Sequence, residues 1–126
     1  MKRYMLTALL LFAGAGAAQA QRTTEQFIPI GQSPGISGEH SYIGAITAVD
    51  VARKTFTLQD STGLHTIKVM ERTRIWRDRS AERRSNEVGA MTDLQVGRRV
   101  EVKYIDEDTR GAADWIKVVV TGSSPL

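Results

Sequence analysis

Six arginines and a tryptophan fall within thirteen residues, RTRIWRDRSAERR at 72–84. Guanidinium groups grip carboxylates and phosphates bidentately and stack on indole faces, so this density is a pattern for docking on an anion. Other constellations could also carry chemistry. Gly31-Gln32-Ser33-Pro34-Gly35 matches the G-x-S-x-G turn of serine hydrolases. That turn uses the backbone N–H after the serine as an oxyanion donor, and Pro34 has none. No core strand precedes it and no helix follows, so Ser33 reads as a turn residue. Asp106, Glu107 and Asp108 share the stretch DEDTRG, where mutual repulsion and solvation fit a polar turn better than acid–base work. The same stretch lacks the alternating oxygen ligands, glycine and terminal glutamate of a calcium loop. No enzymatic mechanism assembles from these residues, and no cofactor is expected.

The elements that must position these side chains begin with the N-terminus. MKRYMLTALLLFAGAGAAQA, residues 1–20, opens with Lys2 and Arg3, runs apolar from Met5 to Ala13 and ends on small residues. This is the pattern of a secretory signal peptide cleaved before Gln21, and its apolar run is short of the about 20 residues that a membrane span needs. The expected location is therefore periplasmic or secreted. The chain has no cysteine, so non-covalent packing alone must hold the domain. Without the leader, 15 basic and 14 acidic residues remain, and residues 72–84 carry +4 against −3 for the rest. Such asymmetry favours one localised anionic contact over general adhesion to polyanions.

Residues 21–40 hold two prolines and no period of 2 or 3.6, and read as an extended arm. Its Phe27, Ile28 and Ile30 could lie across the domain or reach for a partner. From Ser41 to 121 the pattern is that of one β domain. SYIGAITAVD, TFTLQD and HTIKVM form a meander, with VARK and STG as hairpin loops. TRIWR continues the third strand beyond a bulge near Glu71 and places Arg72, Arg74 and Trp76 together on the outer face. SAERRSNEV suggests a short helix capped by Ser80, and MTDLQVG a single turn starting at Thr92 or Asp93 that buries Leu94. RRVEVKYI and AADWIKVVV are the last two strands, with Val100, Val102, Tyr104, Ile116, Val118 and Val120 on inner faces. Residues 122–126 are expected to be a disordered tail.

Five strands with a short helical or irregular insertion between the third and fourth give an all-β, small OB-like barrel, with an open five-stranded sandwich as the alternative. Gly44 inside the first strand suits a barrel, where sharp coiling needs a glycine. The runs YIGAITAVD, TFTL, TRI, TDLQVGRRVEVKY and ADWIKV resemble the exported bacterial barrel domains of unknown function that read G-x-I-x-x-V-D, T-x-T-L, T-x-I, D-L-x-V-G-x-x-V-x-V and A-x-x-I-x-V. The resemblance covers about residues 42–120 and implies a fold, with no catalytic residue.

Two binding readings follow. In the first, the chain is a non-catalytic binding or adaptor module. Its contact set is Arg72, Arg74, Trp76, Arg77 and Arg79, facing an envelope protein or an anionic cell-wall or lipid group. Barrels of this class also bind nucleic acid through aromatic platforms, but the leader and the single aromatic on this face argue against that partner. The bland counterpart is a solvated face in which arginine stems cover Trp76 and pair with nearby acids. In the second reading the chain resembles the periplasmic copper carriers, also small OB-like barrels, which hold Cu(I) with a strand-borne histidine, closely spaced methionines and a tryptophan. The counterparts here are His65 with Met70 or Met91, alongside His40 and Trp76. The chain has no Met-x-Met, and His65 and Met70 fall on opposite strand faces.

Overall fold

The structure is a computed structural model that describes residues 25–120. The expected leader at 1–20, the first residues of the arm and the tail at 122–126 lie outside the described residues. Five strands form where the alternation put them, β1 Ser41–Asp50, β2 Thr55–Asp60, β3 Gly63–Asp78, β5 Arg99–Tyr104 and β6 Ala112–Val119, and a two-residue β4 Glu87–Val88 forms in addition, inside the stretch expected to be helical. The antiparallel meander β1–β2–β3 is closed by β5 on β1, β6 on β5, and β6 running parallel to β3. The sheet is thus a closed five-stranded mixed barrel of the small OB-like kind, with β4 a stub on β3.

Period-2 alternation fills the interior with Phe56 and Leu58 from β2, Ile67 and Val69 from β3, Val100 and Val102 from β5, and Ile116 and Val118 from β6. Two devices close so few strands. β1 pairs with β5 through its first half and with β2 through its second, with a register shift between Ile46 and Ala48. At the crossing the backbones approach so closely that a Cβ on Gly44 would stand 2.1 Å from the Gln59 carbonyl oxygen. The second device is the bulge in β3, where the register against β6 shifts between Val69 and Arg74. Thr73 stitches it, because its Oγ1 accepts from the Met70 amide at 2.7 Å and donates to the Ala113 carbonyl at 2.6 Å.

The helix expected at SAERRSNEV is a single 3-10 turn, Ser80–Glu82. Arg79, not Ser80, holds its cap position, and no side chain caps it. The reason is local: the Ser80 amide is taken by Asp78 Oδ1, and Asn86 is drawn away to the arm. A second turn, Met91–Asp93, begins at Met91 rather than at Thr92 or Asp93. It buries Leu94, and the chain then reverses through Gly97 at φ +93°.

The arm lies on the barrel, across the outer sides of β3, β5 and β6, and polar groups hold it there. Lys117, on the outer side of β6, is fully buried and donates to Glu25 Oε1 at 2.5 Å and to Ser33 Oγ at 3.0 Å, with its ammonium 4.5 Å from the Trp115 ring centroid. Glu101, its cross-strand neighbour on β5, accepts from the Gly31 amide and from the Ser37 and Ser41 hydroxyls. Asp78 Oδ2 takes the Ile30 amide, and the Asn86 side-chain amide donates to the carbonyls of Glu25 and Ile28. Of the arm's apolar residues Phe27 stays exposed, Ile28 and Ile30 are half-buried and Ile36 is buried, so apolar contacts add to these polar anchors.

Two outcomes test this construction. Gly44→Ala forces a Cβ against backbone that cannot yield, and is expected to cost about 3 kcal/mol or more in urea unfolding. Lys117→Met alone leaves Glu25 buried without its cation and is expected to cost about 3–5 kcal/mol, whereas Lys117→Met combined with Glu25→Leu recovers most of that loss.

Candidate functional site

The structure divides the predicted arginine–tryptophan set. Trp76 does leave the sheet on the outer side, since its neighbour Ile75 packs in the core, but it is buried at 5% exposure. The arm is bonded to Lys117 and Asp78, its neighbours across and along the sheet, and the Arg74 guanidinium lies over its ring at 5.5 Å. The expectation of an exposed indole is corrected: Trp76 is a floor under Arg74, not a contact surface. Arg77, Arg79 and Arg84 converge on Glu87, at 2.6, 3.5 and 3.1 Å. Arg79 also reaches Glu82 at 3.0 Å and Arg77 reaches Asp93 at 3.9 Å. The Arg77 hydrogen bond, opposed by burial and aided by the charges of Arg79, Arg77 and Arg84, holds the Glu87 carboxyl below its usual range.

Arg72 and Arg74 are different. Both are exposed, and neither has a carboxylate partner among the described residues. They line an open groove of about 450 Å³ between the β3 bulge and β4, with Glu71, Val88 and Gly89 among its other walls. The bulge creates the groove: β3 is paired to β2 up to Lys68 and to β4 from Trp76, and the interval between them is where the two arginines project.

A second cleft, of about 670 Å³, lies at the end of the barrel where the start of β1, the β2–β3 turn and the β5–β6 turn meet. Tyr42 stacks on His65, with centroids 3.9 Å apart and planes 11° from parallel, and Tyr104 tilts against Tyr42 at 5.2 Å. Arg110 sits over the Tyr104 ring and pairs with Glu107, which is also 2.8 Å from His40 Nδ1. His65 Nε2 lies 2.8 Å from the Thr62 hydroxyl and 3.1 Å from Asp60 Oδ1, which also accepts the Thr62 amide. Sequence reasoning missed this cluster because its members come from separate strands and only the barrel topology gathers them.

His65 and Met70 stand five residues apart on β3, roughly 16 Å by the strand rise, and His65 is committed to Asp60 and Thr62. Met70 is exposed while Met91 packs against the core. Among the described residues, no three His, Asp or Glu side chains are grouped to hold a metal ion. Ser33 is buried, and its hydroxyl donates to Glu25 Oε1 at 2.7 Å, so it serves the arm's latch.

Asp60 and Glu107 at the cleft end are held below the usual carboxylate range. Burial pushes Asp60 up, but the Thr62 hydroxyl and amide together with His65 outweigh it. His40 holds Glu107 down against the opposing effect of burial, helped by Tyr104 and Arg110. A depressed carboxyl contributes stability that is complete above its unfolded value, about pH 4, and is lost as pH falls through the folded value. Thermal unfolding is therefore expected to be flat from neutrality to about pH 5 and to fall below about pH 4, with the decline reduced in Asp60→Asn.

No family model matches this chain, and no curated protein does. Among solved structures, the crystal structure of Ag(I)CusF is similar, with a TM-score of 0.42 and 13% sequence identity, covering 62% of this chain and 93% of that one. No residue or ligand is carried over from it. No helix among the described residues is long and apolar enough to cross a membrane.

Proposed function

We propose that the chain is a non-catalytic binding module of the cell envelope, exported by its leader, that docks on an acidic protein surface through Arg72 and Arg74. The observation that carries this reading is the division of the arginines among the described residues: Arg77, Arg79 and Arg84 are neutralised by Glu87 and its neighbours, Arg83 is unpaired but does not line the groove, and Arg72 and Arg74 project unpaired into its wall. Trp76 contributes by seating the Arg74 guanidinium carbon 5.5 Å from its ring centroid, and a guanidinium placed over an indole can still offer N–H groups to a carboxylate. Val88, exposed at the groove wall, adds an apolar contact beside the charges. Two guanidiniums against Glu71 are too few for a membrane surface, which recruits clusters of about 4–8 basic residues.

Both arginines are exposed, so Arg72→Ser with Arg74→Ser is expected to leave the melting temperature nearly unchanged. Each lost charge-assisted hydrogen bond is worth about 1.5–3 kcal/mol, so cross-linked capture of envelope proteins from intact cells is expected to fall more than about tenfold. Undiminished capture by the double variant would remove the reading. Binding to anionic lipid vesicles at physiological salt, lost in the same variant, would replace it with a head-group partner.

A further inference from the structure

We infer that the cleft formed by Tyr42, His65, Tyr104, Asp60 and Arg110 is a binding site for a neutral saccharide unit. Its volume of about 670 Å³ falls within the range of small-molecule sites. Tyr42 and His65, stacked on each other, line this cleft and also a smaller one of about 230 Å³. Aromatic rings offer a flat surface to the C–H face of a sugar, and the groups around them set its hydrogen bonding.

Those groups carry both polarities. Asp60 uses Oδ1 for Thr62 and His65, and its Oδ2 has no partner among the described residues. Ser61 and Glu39 line the same cleft, and their side-chain oxygens have no partner among the described residues. Arg110 engages Glu107 through Nε and one terminal nitrogen and also interacts with the Tyr42 hydroxyl, so the Ser61 hydroxyl is the group here that can both donate and accept. A ligand with hydroxyls that both donate and accept satisfies this set.

Charge removes the other classes. Asp60, Glu39 and the adjacent Glu107 repel an anion, which separates this cleft from the arginine groove. The Arg110 guanidinium already occupies the Tyr104 face where an ammonium would sit. A purely apolar ligand would strand the Asp60 carboxylate and the Ser61 hydroxyl without water or partner.

The test is a nuclear magnetic resonance titration of the full mature chain with cellobiose and N,N′-diacetylchitobiose, alongside glucuronate and glucosamine as charged counterparts. The expected result is saturable shifts for at least one neutral disaccharide, confined to the resonances of Tyr42, Ser61, Thr62, His65 and Arg110, with weaker binding of both charged sugars. Asp60→Asn keeps the Oδ1 acceptor that the Thr62 amide needs but replaces the spare oxygen by a donor. It is expected to weaken binding about tenfold, equivalent to about 1.4 kcal/mol, at an unchanged fold by circular dichroism. Tyr42→Leu is expected to abolish the shifts. Arg72→Ser with Arg74→Ser is expected to bind the sugar normally, so the failure of this inference and that of the anionic docking reading are distinguishable. Absence of saturable shifts with both neutral disaccharides, or tighter binding of glucuronate or glucosamine, would overturn the assignment.

Discussion

A lysine ammonium and two carboxylates are held out of water on the outer side of this barrel, and the position of the arm follows from that. Lys117 and Glu101 face each other across β6 and β5, both fully buried. An ion taken from water must recover its hydration from fixed partners or the fold is lost. Glu25 and Ser33 supply those partners to Lys117, while Gly31, Ser37 and Ser41 supply them to Glu101. Four of those five residues belong to the arm. The domain therefore has an apolar core inside the sheet and a polar one outside it, and the second fixes where a proline- and glycine-containing segment, built of turns and one 3-10 turn at Glu25–Phe27, must lie.

That cover decides which surfaces remain for binding. It is bonded to Asp78, Glu101 and Lys117 on the outer sides of β3, β5 and β6, where Trp76 and Trp115 are also buried. Two openings stand out: the bulge at residues 70–74, where Arg72 and Arg74 emerge, and the barrel end, where the last arm residues Gly38 and Glu39 join the β2–β3 and β5–β6 turns around the aromatic stack. One is cationic, and the other is rimmed by carboxylates around a single guanidinium. Their charge characters differ because each is built from a different break in the sheet.

The strands were legible because a half-buried strand writes its period into the sequence: β1 and β2 match the runs SYIGAITAVD and TFTLQD residue for residue. Gly44 and the bulge near Glu71 were legible for a related reason, since closure of few strands needs a close approach and a bend. Burial on the outer face was not. Alternation assigns Trp76 and Lys117 to the outer side correctly, yet it says nothing of a second layer, and the partner that buries Lys117 lies 92 residues away in sequence. One signal was present: a lysine inside the otherwise apolar run WIKVVV is a charge that solvent alone does not explain. The arginine cluster was legible as composition only. Which of its members Glu87 neutralises depends on β4 pairing with β3, a contact of two residues that no periodicity announces.

β3 ties these features together. Its 16 residues carry His65 near one end, Arg72 and Arg74 at the bulge, and Trp76 and Asp78 at the other end beneath the arm. A regular strand of that length, facing β2 on one edge and β6 on the other, would keep one face inward throughout and leave no interval for side chains to project beside β4. The bulge resets the register against β6, and Thr73 bonds across it so that the break adds little disorder. The barrel-end cleft beside His65 and the arginine groove at the bulge thus lie on separate stretches of one strand.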